Sequence, residues 1–311
     1  MRVCVVGCGA VGSLFAANLA QLDDVEVWAY DVSQAHVDAI NANGLRLVGA
    51  GEVVGRPRAT TDASELPACH FGIVATKAMH TGGAIAATAH AFASGAVATV
   101  QNGVGNEEVV AGHVARVIRG TTFPAGKILE PGVVQWDVKG DTTLGPFEPR
   151  PARSDEVEAL ADACTRGGMP TTAVADARPA QWRKVIFNAA TNPVGALTGL
   201  THGRVCERPD LRAIVSALVD EGKAVAAAQG IVLDADPEEL IDHAARPDVA
   251  YAHKASMLQD VEARRKTEVE FLNGGIGRFG RELGVPTPLN DAITQLIRAL
   301  EDSWSSRSLG Q

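Results

Sequence analysis

Cysteine, positive charge and unbroken apolar runs are all scarce in this chain of 311 residues, and each scarcity removes a class of explanation. The five cysteines (Cys4, Cys8, Cys69, Cys164 and Cys206) form an odd set with no CxxC pair and no zinc-type His/Cys spacing. That excludes a disulfide framework and leaves no metal site to expect; a reducing, cytoplasmic setting fits best. Lysine and arginine number 28 against 37 acidic residues, a formal net charge of −9, and no basic cluster offsets the deficit. The balance argues against a nucleic-acid or anionic-membrane binder, so an anionic ligand must be held by a local site. No membrane span is expected either. The Ala/Gly-rich run from Ala78 to Val100 is interrupted by His80 and His90, and glycines break the opening "MRVCVVGCGAVGSLF", which no cleavage-type segment follows. What is present is ordinary globular content, 46% hydrophobic and 21% charged, in a chain long enough for two domains.

The texture changes near residue 178. Before it, "RVCVVG", "VEVWAY", "FGIVAT" and "AVATVQ" read as strands that alternate with helices from about Gly12, Ser33, Met79 and Asn106. The alternation implies βαβ units and a mostly parallel sheet. Between Val117 and Gly145, the pieces "VIRGTTFPAG", "KILEPGVVQWDV" and "DTTLGP" read as antiparallel strands that extend that sheet. From Pro179 on almost every pattern is helical, with breaks at Pro209, Pro237, Pro247 and "GVPTP". The expected architecture is a Rossmann-type α/β dinucleotide-binding domain over residues 1–178, then an all-α substrate domain over 179–311.

"GCGAVG" sets Gly7, Gly9, Ala10, Val11 and Gly12 directly between a strand and a helix, the context in which a glycine loop binds a dinucleotide. Gly7 permits the tight turn, Gly9 lets the backbone approach a pyrophosphate, and Gly12 lets helix and strand pack closely. Unpaired N–H groups at the helix start would meet the phosphates. Asp31 ends the second strand, where a carboxylate accepts both ribose hydroxyls and repels a 2′-phosphate. No Arg or Lys stands between Arg2 and Arg46 to bind such a phosphate, so NAD is favoured over NADP. The alternative reading of Asp31 is a helix-entry residue beside Ser33.

In "WRKVIFNAATNP" an apolar segment carries Lys184, Asn188 and Asn192 on one helical stripe. A buried lysine can titrate near neutral pH and donate a proton to a carbonyl oxygen that is gaining charge. The bland alternative is a snorkelling lysine with asparagines capping the helix before Pro193.

A further stretch, "HKASMLQDVEARRKTEVEFLNGGIGRFGRELGVPTPLND", together with this stripe, the glycine loop and "QNGVGNEE", resembles the ketopantoate reductase (2-dehydropantoate 2-reductase) family over nearly the whole chain. The resemblance implies a nicotinamide-binding Rossmann domain, a helical domain that closes over it, and reduction of a 2-keto acid to a D-2-hydroxy acid, here 2-dehydropantoate to (R)-pantoate. It also implies Lys184 and Glu268 as catalytic residues, Asn102, Asn188, Asn192 and Ser256 at the substrate, and Lys77, Asn102 and Glu268 near the cofactor. His202 falls where some members carry a further substrate-contacting asparagine, and Asp31 replaces an arginine usual in this NADPH-preferring family. Both departures lean toward an NAD-dependent D-2-hydroxyacid dehydrogenase for branched or aromatic 2-keto acids on the same scaffold. From the residues alone, Glu268 reads as one member of the charge run "DVEARRKTEVE", and Asp260, Glu262, Arg264, Arg265 and Lys266 as a solvated face. The expected partner is a small 2-keto acid, with a homodimer the assembly allowed; a non-catalytic dinucleotide-sensing protein is the remaining alternative.

Overall fold

The computed structural model describes residues 1–307, so the end of the expected second domain, 308–311, lies outside the described residues. The chain divides into two compact units. The first comprises Met1–Gln101 and Asn106–Ala177; the second comprises Asn102–Gly105 and the chain from Arg178 onward.

In the first unit, β1 (Arg2–Val6), α1 (Ala10–Leu19), β2 (Glu26–Tyr30) and α2 (Gln34–Asn43) open a βαβα sequence. Then come β3 (Leu45–Gly49), β4 (Val53–Gly55), β5 (Arg58–Thr60), β6 (Phe71–Val74), α3 (Thr81–Thr88), β7 (Ala96–Thr99) and α4 (Asn106–Ala111). The unit finishes with β8 (Val117–Thr122), β9 (Ala125–Glu130), β10 (Val133–Val138), β11 (Thr142–Pro146), α5 (Ser154–Arg166) and β12 (Thr171–Ala173). The main sheet has eight strands in the order β12-β11-β8-β7-β6-β1-β2-β5. It is parallel from β5 through β8, antiparallel at β8–β11, and parallel again at β11–β12. β1 and β6 are apolar and buried almost throughout, as central parallel strands covered on both faces must be.

Only part of the expected antiparallel extension joins this sheet. β8 and β11 do, but β9 and β10, the "KILEPGVVQWDV" hairpin, belong to a separate four-stranded sheet ordered β4-β3-β10-β9. The reason is burial. Leu45 and Leu47 of β3 and Val134 and Trp136 of β10 share a core with Leu14, Phe15 and Leu19 of α1, so these strands cover the helix instead of lengthening the sheet. Leu14 is fully buried there. Its truncation to alanine should cost about 2–5 kcal/mol.

The second unit is helical: α6 (Arg178–Thr198), α7 (His202–Cys206), α8 (Pro209–Ala228), α9 (Pro237–Ala244), α10 (Ser256–Glu262), α11 (Asn273–Leu283) and α12 (Pro288–Arg307). The prolines read as breaks are largely helix starts. Pro209, Pro237 and Pro288 each open a helix, where a fixed φ helps and no N–H is needed. Gly222 in α8 lies so near α6 that a Cβ there would come within 2.8 Å of Ile186 Cγ1, which explains the close approach of these two long helices. Among the described residues no helix is long and apolar enough to cross a membrane.

Candidate active site

The glycine loop is built by three glycines for three different reasons. Gly7 sits at φ +90, a conformation L side chains rarely adopt, and a Cβ there would crowd Thr76. At Gly12 a Cβ would lie 1.9 Å from the Gly7 carbonyl oxygen, so only glycine lets α1 start this close to β1. Gly9, the residue capping α1, is different: a Cβ there would meet nothing within 4 Å. Packing does not demand a glycine at that point, but a ligand pressed against the backbone would. The open space at the amino end of a ten-residue helix with no acidic residue in its first turn fits a bound diphosphate.

Asp31 ties this loop to the end of β2. Its Oδ2 accepts the Cys8 N–H at 2.8 Å and its Oδ1 accepts the Ser33 N–H at 2.9 Å, while Ser33 caps α2 with its own hydroxyl. The carboxylate is therefore fixed at the strand end with lone pairs left over. Sequence reasoning missed His36, whose buried ring accepts the Gly132 N–H at 3.0 Å. Burial pushes its pKa down while the Asp31 charge pulls it up. A helical histidine among polar neighbours gave no sequence signal of this role. The unit also braces the turn after β6, which carries Lys77 just ahead of a 3₁₀ turn at Ala78–His80. Gln101 Nε2 donates to the Thr76 carbonyl at 2.8 Å and to Thr81 Oγ1 at 2.7 Å. A glutamine closing an otherwise apolar strand was the available clue.

The helical unit assembles a second cluster. Lys184 Nζ donates to Asn102 Oδ1 at 2.8 Å, and Asn102 Nδ2 approaches Glu268 Oε2 at 3.4 Å. The local backbone explains how residues so far apart in sequence meet. Gly103 has φ +87 and packs on Phe271, where a Cβ would come within 2.5 Å of the carbonyl oxygen, and the Val104 N–H donates to that same oxygen at 2.9 Å. The Phe271 and Leu272 N–H groups in turn close on the Glu268 carbonyl. Segment 102–105 is thus stitched to the turn that carries Glu268. Desolvation lowers the Lys184 pKa from 10.5 to about 8, and the negative charge of Glu268 opposes that fall. An ammonium in this balance is a proton donor near neutral pH.

Asn188 and Asn192 follow Lys184 along α6 and are 8% and 7% exposed. The Asn188 amide bonds no other described residue, and Asn192 makes only a 3.4 Å contact from the Thr191 hydroxyl to its Oδ1. Ser256 is exposed as the first residue of α10, which packs against α6. His202 is held otherwise: its Nε2 bonds the Ile241 carbonyl at 3.0 Å and its ring tilts against Phe187 at 5.6 Å. These contacts hold the ring between Phe187 of α6 and the Ile241 carbonyl of α9.

Two readings of the charge run change. The helix ends at Glu262, Arg264 adopts φ 50, and Glu268 lies in a turn only 7% exposed instead of along a wet helix face. Asp260, expected in solvent, is 3% exposed, and Arg265 reaches it through Nε at 3.1 Å and Nη2 at 3.0 Å. Among the described residues no group of three His, Cys, Asp or Glu side chains could hold a metal.

Comparison with known proteins places the chain in a family. The model of the family "Ketopantoate reductase PanE/ApbA" matches residues 3–149, and that of its C-terminal part matches residues 176–301. A 2-dehydropantoate 2-reductase from Pyrococcus horikoshii is 31% identical over 304 residues, covering 97% of this chain and 98% of its own. The crystal structure of a PanE/ApbA family ketopantoate reductase from Ralstonia eutropha superposes with a TM-score of 0.86 at 29% identity, over 97% of this chain and 99% of the other. A D-mandelate dehydrogenase with NADH and anilino(oxo)acetate gives a TM-score of 0.88 at 27% identity, over the same shares. With two adjoining family models across most of its length and a relative matched nearly end to end, the chain belongs to the ketopantoate reductase PanE/ApbA family.

Proposed function

We propose that this protein catalyses the nicotinamide-dependent reduction of a 2-keto acid to a D-2-hydroxy acid, with 2-dehydropantoate to (R)-pantoate as the physiological conversion. The observation that carries the reading is the hydrogen-bonded chain from Lys184 through Asn102 to Glu268. When bound, the cofactor supplies the hydride. Negative charge then builds on the keto oxygen, and Lys184 stabilises it and delivers a proton from Nζ. Asn102 holds the ammonium in place, and Glu268 keeps it charged. Asn188, Asn192 and Ser256 offer neutral hydrogen bonds to the substrate. Gly7, Gly9, Ala10, Val11, Gly12, Asp31 and Lys77 hold the dinucleotide.

NADH is the cofactor this chain prefers. Supporting that choice, Asp31 is anchored by two backbone N–H groups, and its ionisable neighbour His36 is kept from its charged form by burial. A 2′-phosphate dianion would face the like charge of the Asp31 carboxylate. An uncompensated like-charge contact of a few kcal/mol corresponds to a preference of one to two orders of magnitude or more, at about 1.4 kcal/mol per tenfold. A second reading has one specific support: the likeness to D-mandelate dehydrogenase favours aromatic or branched 2-keto acids on the same scaffold. Initial rates with NADH and NADPH against 2-dehydropantoate, branched and aromatic 2-keto acids separate the readings, and Lys184→Ala tests the chemistry. The variant should lose about 10²-fold or more of kcat with cofactor affinity kept. Undiminished turnover would refute the assignment of Lys184.

A further inference from the structure

Helix α6 contains Pro193 in its interior, one residue after Asn192. A proline has no N–H, so the carbonyl four residues back loses its helical donor, and the ring pushes against it. That carbonyl belongs to Ala189, which is fully buried and lies between Asn188 and Asn192 in the chain. Water cannot reach it. The missing donor comes from another helix: Asn273, the first residue of α11, donates Nδ2–H to the Ala189 oxygen at 2.8 Å.

The orientation of that amide is forced. Asn273 Nδ2 also donates to Asn290 Oδ1 at 2.9 Å, and Asn290 Nδ2 donates to Glu221 Oε2 at 2.8 Å. Both Nδ2 hydrogens of Asn273 are therefore used, while its buried Oδ1 has no partner among the described residues. Flipping the amide would set oxygen against two acceptors. An orphaned buried acceptor is destabilising, and this arrangement carries that cost while placing both N–H groups on acceptors. Glu221 is itself pinned by the Leu289 and Asn290 N–H groups at 2.8 and 2.9 Å, so the chain of bonds reaches from the start of α12 and the middle of α8 to one carbonyl of α6.

We propose that Asn273 is a positioning residue for catalysis: it replaces the donor that Pro193 lacks and so fixes the turn of α6 on which Asn188 and Asn192 present their amides to the substrate. The inference rests on the reading of those asparagines given above. It requires that Asn273 become dispensable once residue 193 carries an N–H.

The experiment is a double-mutant cycle in the full-length protein with Asn273→Ala, Pro193→Ala and the pair, with Lys184→Ala alongside. Pro193→Ala keeps the Asn273 bond and should stay within about threefold of the parent. Asn273→Ala should lower the melting temperature by about 2–6 °C. It should also raise the KM for the 2-keto acid tenfold or more, leaving the KM for NADH within twofold, a split that a general loosening of the fold would not produce. In the Pro193→Ala background both effects of Asn273→Ala should shrink to less than a third. Equal effects in the two backgrounds, no effect at all, or an inactive Pro193→Ala protein would each overturn the proposal. If Asn273→Ala alone fails to fold, a folded and active pair supports it and an unfolded pair overturns it. The melting-temperature cycle reads the bond without reference to substrate, whereas an active Lys184→Ala protein would overturn the reading of the active site and not the link from Asn273 to Ala189.

Discussion

Replacing Glu268 by glutamine removes one negative charge and keeps the shape and the oxygen that Asn102 approaches, which isolates the electrostatic share of that residue. Glu268 raises the pKa of Lys184 against the desolvation that lowers it to about 8. Without the charge, the lysine should titrate lower still. Its ammonium and the Glu268 carboxylate are joined through one amide, by contacts of 2.8 and 3.4 Å. Taking a charge separation of roughly 7 Å and an effective dielectric between about 20 and 80, the interaction is worth about 0.6–2.4 kcal/mol, or about 0.4–1.7 pH units. The assay is kcat/KM for 2-keto acid reduction against pH, which reports the free enzyme. In the parent the profile should be flat below a pKa near 8 and then fall tenfold per pH unit, because the reaction needs the protonated form. In Glu268→Gln the falling limb should move to lower pH by the interval given. In the direction of hydroxy-acid oxidation the neutral lysine is the competent form, so the limb inverts and shifts in the same sense. A limb that stays in place, or moves to higher pH, would refute the electrostatic role of Glu268.

Asp31→Arg should reverse the cofactor preference from NADH toward NADPH, read as the ratio of kcat/KM values; an unmoved ratio would show that Asp31 does not meet the ribose. Gly9→Ala should fold and melt like the parent yet raise the KM for NADH several-fold, because its Cβ enters open space, whereas Gly12→Ala should destabilise the fold, because its Cβ would lie 1.9 Å from a carbonyl oxygen. Thermal melts with and without NADH distinguish the two, and equal losses of stability would contradict the division of labour. Lys184→Met should melt higher than the parent at pH 7. The depression from 10.5 to about 8 corresponds to at most about 3.5 kcal/mol at ~1.4 kcal/mol per unit. Because the folded pKa lies below the unfolded one, the unfolded chain binds more protons between those values and the parent gains stability across that window, so the gap should close as pH rises through it.

What the sequence made legible is local geometry that demands one residue type. Gly7 and Gly12 are required by a positive φ and a close carbonyl, and Lys184, Asn188 and Asn192 share a stripe because a helix has a fixed period. What stayed hidden depends on partners distant in sequence. Glu268 is indistinguishable from its charged neighbours until the helix ends at Glu262 and the chain turns inward. Asp260 reads as solvated because nothing local announces that Arg265 will reach back over it. The β9–β10 hairpin was legible as strands, but its sheet was not, since β3 and β4 are short, carry exposed positions and do not stand out as buried strands. Asn273 could have been suspected only by asking which buried group serves the carbonyl that Pro193 leaves unserved.

The membership of Asn102–Gly105 in the helical unit has a consequence for how the protein is made. These residues leave the ribosome inside the stretch that encodes the α/β unit, yet the turn that receives them, at Glu268 to Phe271, is translated more than a hundred and sixty residues later. At about 5–20 residues per second this is a wait on the order of 10–30 s, during which a glycine-rich loop has no place to settle. A nascent α/β unit can pair its strands in that interval but cannot deliver Asn102 to Lys184. For the same reason, a cut or graft at the junction between Ala177 and Arg178 separates Lys184 from Asn102, the residue its ammonium bonds. Chimeras between members of this family that exchange the helical part should carry the four residues 102–105 along with it.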